Sequence, residues 1–196
     1  MSTRGEARVA RLGIDDAKQA AAAIGVSDRL AELNVFRVLL HHPRLSQAIS
    51  GLLGTLLFEG NELDPRLREL LILRIAWVTG SDYEWSQHWR VALGLEISPE
   101  DAAAVRLWQQ SDRFSEADRA ILRATDEVLA DGVISRETWG QCEQHLGGAK
   151  ELIELVVAIG NWRMFSVLLR SLEVPLDDDL SSWPPDGVAP DVGSGD

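Results

Sequence analysis

The chain has 196 residues, of which 45% are hydrophobic, enough apolar material for one well-packed domain. Its 19 basic residues against 31 acidic ones give a formal net charge of −12. This charge argues against binding to nucleic acid or to an anionic membrane, because both need basic patches on the protein. A single cysteine, Cys142, excludes an intrachain disulfide, a Cys-x-x-Cys redox pair and a cysteine-rich metal site. With no apolar run of membrane-spanning length and no apolar signal core in the first residues, we expect a cytoplasmic protein.

Capping residues, prolines and apolar spacing predict helices along the whole chain. These helices are expected to begin near residues 4, 27, 43, 64, 81, 98, 115, 135 and 149. Because no strand-like alternation occurs, the predicted fold class is all-α, with a single domain over residues 1–180. Residues 181–196 are rich in proline, glycine and polar residues, which is typical of a disordered tail.

The stretch from Asp64 to Ala92 predicts two helices joined by a tight turn. Asp64 is a capping residue, Pro65 fits the first helical position, and Gly80 is typical of a helix end. The first helix is apolar on almost every side, which indicates that it is buried. Glu69 has apolar neighbours on its own face, so its carboxylate needs a partner or a proton. One possible partner is an arginine from a neighbouring helix.

The second helix of this pair places Ser81, Glu84 and His88 on one face, because they are three and four residues apart. The aromatic residues Tyr83, Trp85 and Trp89 lie around them in the sequence and are candidates for binding a substrate. An alternative is purely structural. Ser81 and Glu84 have the spacing of a capping box, and a histidine on a helix is often only a hydrogen-bonding residue.

The spacing of these residues resembles that of the carboxymuconolactone decarboxylase and alkylhydroperoxidase D superfamily. In the peroxidase branch a glutamate is followed after eleven residues by a cysteine, after two more by a second cysteine, and after three more by a histidine. Here Glu69, Ser81, Glu84 and His88 keep that spacing, and both cysteines are replaced. The chain therefore resembles the cysteine-free, decarboxylase-like branch. The resemblance implies a helical bundle with a doubled helical unit, and no thiol peroxidase activity.

The resemblance implies an enzyme that needs no cofactor or metal and that acts on a small organic acid, lactone or related carbonyl compound. His88 is expected to be the main acid or base, because an ordinary imidazole titrates nearest neutrality. Glu84 is expected to orient and tune His88, and Glu69 to act as the acid or proton reservoir. The predicted reaction is a decarboxylation, with isomerisation, dehydration and ring closure as alternatives that use the same site.

A faint internal repeat supports the doubled unit, because residues 68–71 (RELL) are echoed by residues 150–153 (KELI). In the second copy, Asn161-Trp162-Arg163 stands where related sequences often carry Gln-Tyr-His. Arg163 is therefore a candidate for binding a substrate carboxylate, with a structural ion pair as the alternative.

Exposed apolar helix faces predict a homo-oligomer, and the resemblance suggests dimers, trimers or hexamers. A helical oligomer without catalytic activity, which keeps the spacing only for helix capping, is the competing prediction. The two differ in whether Glu69, Glu84 and His88 converge on one site or are each used in caps and ion pairs.

Overall fold

The computed structural model of the chain describes residues 6–191, which are all-α as predicted, with no strand within this range. These residues form two compact units. The single domain over residues 1–180 stays a prediction. In the described range, the first unit holds residues 6–61 and 168–180, and the second holds residues 62–167 and 181–191.

The first unit contains four helices and the end of the last helix of the chain. They are α1 (Ile14–Ala22), α2 (Asp28–Ala31), α3 (Asn34–Leu39) and α4 (Pro43–Leu57). The helix predicted from residue 4 begins only at Ile14; residues 4 and 5 lie outside the described range. The helix predicted from residue 27 is broken at Leu33, because the Asn34 N–H donates to Asp177 Oδ1 at 2.7 Å instead of continuing the helix.

The second unit contains the helices that surround the candidate site. They are α5 (Pro65–Thr79), α6 (Asp82–Gly94), α7 (Pro99–Ala104), a 3₁₀ helix (Val105–Gln110), α8 (Glu116–Asp131), α9 (Arg136–His145) and most of α10 (Ala149–Ser171). Helix α5 is the centre of this unit, since it is buried along its length and packs mainly against α6 and α8. The expected caps of α5 are present. Asp64 Oδ1 accepts from the N–H groups of Arg66 and Leu67, and Gly80 ends the helix at φ 70°.

The structure differs from the predicted disordered tail over residues 181–191, which pack against the second unit. Trp183 is 8% exposed and stacks edge-on against Trp77, with ring centroids 5.9 Å apart. Asp82 of α6 accepts from the Ser182 hydroxyl at 2.5 Å and from the Trp183 N–H at 3.0 Å. The composition of this segment suggested too little apolar material to offset the entropy lost when it becomes ordered. Burial of one large ring, together with its polar contacts, offsets that loss. Residues 192–196 of the predicted tail lie outside the described range.

Helix α10 carries an exposed apolar stripe at helical spacing. Its members in the second unit are Ile153, Val156, Val157, Met164 and Val167, which are between 39% and 64% exposed. By length and composition this helix is also able to cross a membrane, with a mean hydropathy of 1.6 and half of the window buried in the protein. Helix α10 therefore corrects the statement, made from the sequence, that no apolar run reaches membrane-spanning length.

Candidate active site

The site is built where α5 passes into α6 through a single glycine. Gly80 adopts the left-handed conformation, and its N–H and that of Ser81 donate to the carbonyls of Trp77 and Ala76 at the end of α5. This turn leads directly into α6 and holds it against α5. Polar side chains from both helices therefore meet in the interior, and α10 contributes the remaining ones.

Glu69 and His88 are brought together, as the spacing predicted. Glu69 on α5 is fully buried, and its Oε2 lies 2.6 Å from His88 Nδ1 on α6. Its other oxygen, Oε1, accepts from Arg68 Nε at 3.1 Å, and the Arg68 side chain is only 5% exposed. Both oxygens of the Glu69 side chain are therefore engaged with basic side chains. Glu69 is thus placed to orient His88, and its predicted role as the acid or proton reservoir stays a prediction.

The second ring nitrogen of His88 is also paired. Trp162 Nε1 on α10 lies 3.1 Å from His88 Nε2, and the two rings meet edge-on at 85°. The His88 side chain is 14% exposed, so it is close to the surface of the unit but covered on most sides. His88 is therefore held between a carboxylate and an indole.

Glu84 makes no hydrogen bond to His88, contrary to the direct contact that the expected tuning role suggests. Its Oε2 accepts from the Ser166 hydroxyl on α10, and Ser166 in turn accepts from Thr79 Oγ1 at 3.1 Å. Its Oε1 is buried without a hydrogen-bond partner. Burial raises the pKa of Glu84 to about 8, and the hydroxyls of Ser166 and Ser81 lower it by less. Glu84 is therefore a neutral acid at pH 7.

The capping box that was the structural alternative for Ser81 and Glu84 does not form. The Ser81 side chain makes no capping hydrogen bond at the start of α6, and its hydroxyl is buried without a well-aligned partner. Glu84 is 3% exposed and turned into the interior, so it does not reach back to the helix start. The structure thus brings Ser81 beside the Glu84 carboxyl and leaves both available for other contacts.

The three predicted aromatic residues lie on α6, but their side chains have different contacts. Trp85 is fully buried, and its Nε1 donates to Pro184 O at 2.7 Å, so it holds the C-terminal segment. Trp89 packs against Trp85, with ring centroids 5.9 Å apart. Tyr83 is 6% exposed on the same helix. Trp85 and Trp89 belong to an aromatic cluster around the C-terminal segment, which also includes Trp183.

Arg163 does not lie among the side chains that contact His88 and Glu84. Its side chain is exposed, and Nη1 donates to the carbonyl of Val128 on α8 at 3.1 Å. The neighbouring residue, Trp162, points to His88 instead, because adjacent helical residues are about 100° apart. Within the segment singled out in the sequence, Trp162 is thus the residue that contacts His88, and binding of a substrate carboxylate by Arg163 stays a prediction.

Glu69, Glu84, His88 and the side chains that contact them form the cluster of the candidate site. Three of its residues were not predicted from the sequence: Thr79, Trp162 and Ser166. Their pairing follows one geometric rule. Glu84 and His88 are four residues apart on α6, and their partners Ser166 and Trp162 are four residues apart on α10. Two facing helices that run in opposite directions produce such pairs one turn apart. The four-residue spacing of a tryptophan and a serine on α10 was the available signal.

The other candidates stay outside the site. Cys142 is buried on α9, and burial, followed by the nearby Glu127 charge, raises the pKa of its thiol to about 11. His145, three residues later, is exposed. Within residues 6–191, no group of three or more metal-ligating side chains is close enough to hold a metal ion.

The sequence and the fold are similar to those of known proteins. Residues 43–127 match the model of the carboxymuconolactone decarboxylase family, a range that holds Glu69, Ser81, Glu84 and His88. No curated protein sequence matches this chain significantly.

Three solved structures have similar folds. An uncharacterized peroxidase-related protein from Ralstonia eutropha JMP134, described as an alkylhydroperoxidase AhpD core, has a TM-score of 0.74 at 16% identity, over 95% of this chain and all of its own. The debrominase Bmp8, as a variant in complex with 2,3,4-tribromopyrrole, has a TM-score of 0.71 at 18% identity, over 91% of this chain and 94% of its own. A peroxidase-related protein from Silicibacter sp. TM1040 has a TM-score of 0.71 at 11% identity, over 91% and 97%. At these identities the likeness concerns the fold.

Proposed function

Because the chain belongs to the carboxymuconolactone decarboxylase and alkylhydroperoxidase D superfamily, we propose that it is an acid–base enzyme of the decarboxylase-like, cysteine-free branch. Its substrate is a small organic acid, a lactone or a related carbonyl compound. The observation that carries the proposal is that Glu69 orients the His88 imidazole while a buried carboxyl group, Glu84, lies one turn away on α6, where burial raises its pKa to about 8. Two titratable groups held in complementary states are typical of acid–base catalysis.

In the proposed chemistry, His88 Nε2 is the base and the Glu84 carboxyl is the acid. In a decarboxylation, the bond between the substrate carbon and its carboxylate breaks, and a neighbouring substrate carbonyl takes up the electron pair. The resulting enolate then takes the proton of Glu84 at the vacated carbon, and water returns a proton to the Glu84 carboxylate. Because the substrate itself provides the electron sink, this route requires no cofactor. In an isomerisation, His88 removes a proton from one carbon, and Glu84 delivers a proton to another.

A substrate panel tests this proposal and separates the two reactions. Small carboxylic acids with a carbonyl group at the β-position or conjugated to it, and the related lactones, are incubated with the protein in D₂O. NMR then detects loss of carbon dioxide with deuterium at the vacated carbon, or deuterium exchange without carbon loss. Brominated pyrroles are included, because the structurally similar debrominase Bmp8 has been observed with 2,3,4-tribromopyrrole.

The matched variants are His88→Ala and His145→Ala, since His145 is exposed and distant in sequence from the cluster. We expect His88→Ala to lower turnover by roughly 10²–10⁴-fold, the usual contribution of a general acid or base, and His145→Ala to leave it unchanged. Equal turnover in wild type and His88→Ala would overturn the assignment of His88.

A helical protein without catalytic activity remains the second candidate, and one observation favours it. Both ring nitrogens of His88 are hydrogen-bonded, as they are in many structural histidines. This candidate predicts that no compound of the panel is turned over and that none shifts the His88 resonances at millimolar concentration.

Thiol peroxidase activity is not part of the proposal. Such activity needs an accessible thiolate, whereas Cys142 is buried and the pKa of its thiol is about 11. We expect no thiol-dependent hydroperoxide turnover, in wild type as in Cys142→Ser. Thiol-dependent hydroperoxide turnover that persists in Cys142→Ser would contradict the proposal that the site performs only acid–base chemistry.

We also propose that a second copy of the chain covers the apolar stripe of α10. From Ile153 to Val167 the stripe is about 21 Å long at the rise of an α-helix, and space is open at Gly160 near its centre for another helix. Sedimentation at micromolar concentrations is expected to show an oligomer that Val167→Asp disrupts and Val133→Asp does not, although both valines are more than 60% exposed. A wild-type monomer would contradict this part of the proposal.

A further inference from the structure

Trp162 is the residue of the cluster whose role the preceding proposal leaves open. It is a large ring on α10, 2% exposed, and its only hydrogen-bonding atom is the indole N–H. That N–H lies 3.1 Å from His88 Nε2, with the ring centroids 5.8 Å apart and the planes at 85°. The indole edge therefore points at the ring nitrogen that faces away from Glu69.

The chemistry of this contact determines where His88 carries its proton. An indole N–H is a donor and never an acceptor, so His88 Nε2 must accept and must be unprotonated. The proton then lies on Nδ1, from which it is donated to Glu69 Oε2 at 2.6 Å. Both contacts select the same form of the neutral imidazole. In that form, the lone pair that can act as a base is on Nε2, directly under the indole N–H.

We infer that Trp162 is a positioning residue that selects the Nδ1–H form of His88 and covers its basic nitrogen until a substrate displaces the indole. The assignment of the proton stands on the geometry alone. Displacement of the indole by a substrate rests on the proposed function. It deepens that proposal, because it restricts the class of substrate. A compound that replaces the indole N–H must present its own acidic O–H, N–H or C–H to His88 Nε2.

The position of Trp162 on α10 agrees with this role. Ser166, one turn further along α10, contacts Glu84 in the same way that Trp162 contacts His88. The same face of one helix thus covers both the base and the acid. A rotation of the Trp162 side chain frees the base and leaves the Ser166 contact in place, so access to His88 is controlled separately from the state of Glu84.

The first test measures the wild-type protein and needs no substrate, and a variant serves only to assign the signals. In ¹⁵N-labelled protein, two-bond correlations between ring protons and nitrogens distinguish the two neutral forms of a histidine. The His88 signals are assigned by their loss in His88→Gln. We expect a protonated Nδ1 and an unprotonated Nε2 near pH 8. A proton on Nε2 would overturn the inference, whatever the outcome of the activity assays.

The second test compares two buried tryptophans that each donate an indole hydrogen bond. Trp162→Phe removes the donor to His88, and Trp108→Phe removes a donor to Asp126 Oδ2 at 2.9 Å, from a ring that is 4% exposed. Diethyl pyrocarbonate acylates an unprotonated, accessible imidazole nitrogen, and the modified peptide is quantified by mass spectrometry. We expect the rate at His88 to rise about fivefold in Trp162→Phe, the factor for one ordinary hydrogen bond, and to stay unchanged in Trp108→Phe.

A residue that only fills space would give a different pattern. In that case Trp162→Phe and Trp108→Phe would lower the melting temperature to a similar extent, and neither would change the proton position or the acylation rate at His88. That result would overturn the inference, and the NMR measurement on the wild type decides even where Trp162→Phe folds poorly. A failure of the proposed function has another signature, since the proton position would be as inferred and no substrate would be turned over.

Discussion

Two helices of the second unit begin with the same sequence pattern and use it differently. Helix α8 begins at Ser115, with Asp118 three residues later, and α6 begins at Ser81, with Glu84 three residues later. At α8, Ser115 Oγ accepts from the Asp118 N–H at 3.2 Å, and Asp118 Oδ2 accepts from the Ser115 N–H at 3.0 Å. At α6, neither reciprocal bond is present. One pattern thus gives a capping box, and the other gives a buried acid.

The chain before each helix explains the difference. Ser81 follows Gly80 directly, and its N–H already donates to Ala76 O at 2.9 Å in the turn that ends α5. Its N–H therefore needs no acceptor from Glu84. Ser115 follows a loop, and its N–H is satisfied by the Asp118 side chain. A serine and an acid at capping-box spacing are thus free for another use when a helix end immediately precedes them.

The largest effect is expected at Glu69, the other buried carboxyl group of this interior. Glu69→Gln removes the carboxyl partner of Arg68 and His88, both largely buried, and we expect it to lower the free energy of unfolding by about 3–5 kcal/mol, as for one partner of a buried ion pair. Glu84→Gln replaces a neutral acid with a neutral amide at pH 7 and should cost much less. Urea denaturation at pH 7 measures both. Equal losses would show that the contacts of Glu69 contribute no more to stability than those of Glu84.

The next effect concerns the C-terminal segment, because it holds the start of α6 and not that of α8. Truncation after Leu180 removes Trp183 and the two donors to Asp82, and we expect a loss of about 3 kcal/mol, typical of removing a buried tryptophan. Truncation after Gly187 keeps these contacts and is the matched control. Thermal unfolding of the two proteins checks the comparison, and equal melting temperatures would restore the original prediction of a disordered tail.

Local signals in the sequence were sufficient for the fold of the second unit and for part of its site. Asp64, Pro65 and Gly80 bound α5 as their chemistry predicts, and the spacing of Glu69 and His88 placed them in contact. These features depend on residues close in sequence or on a spacing that matches a family. The all-α class follows from the same kind of evidence.

The remaining contacts depend on packing between residues far apart in the sequence. Trp162 is 74 residues from His88, and Ser166 is 82 residues from Glu84, so neither periodicity nor capping rules relate them. The order of the C-terminal segment likewise depends on one ring, Trp183, which meets Trp77 and Trp85. The composition of this segment correctly indicates that it contains little apolar material. The composition does not indicate that this material packs against an aromatic surface formed by the rest of the unit.

A further effect, with a characteristic pH dependence, is expected at Glu84. The folded protein keeps the Glu84 proton up to about pH 8, whereas the unfolded chain releases it near pH 4.5. The unfolded state therefore binds fewer protons in this window, so stability falls as the pH rises, by roughly 1.4 kcal/mol per pH unit for one full proton. Glu84→Gln removes this slope. We expect the variant to gain stability relative to wild type between pH 5 and pH 8.

Glu127 of α8 is the control for that measurement, because its pKa is shifted in the other direction. Burial raises it, but hydrogen bonds from Thr138 and Ser135 outweigh burial and lower the pKa of Glu127 overall. Its contribution to stability is present above the pKa of the unfolded chain and is lost as the pH falls. Glu127→Gln is thus expected to lose its stability difference from wild type towards acid pH. If the Glu84→Gln difference were flat from pH 5 to pH 8, Glu84 would not be a neutral acid.

The smallest effect tests the comparison of the two helix starts directly. Ser115→Ala removes an oxygen that accepts the Asp118 N–H, and loss of such a cap typically costs about 1 kcal/mol. Ser81→Ala removes a buried hydroxyl that caps nothing, so we expect a change within about 0.5 kcal/mol of zero. Urea denaturation of both variants at pH 7 resolves the difference. If Ser81→Ala cost as much as Ser115→Ala, the serine at α6 would be a cap after all. The position of Glu84 in the interior would then need another explanation than the turn at Gly80.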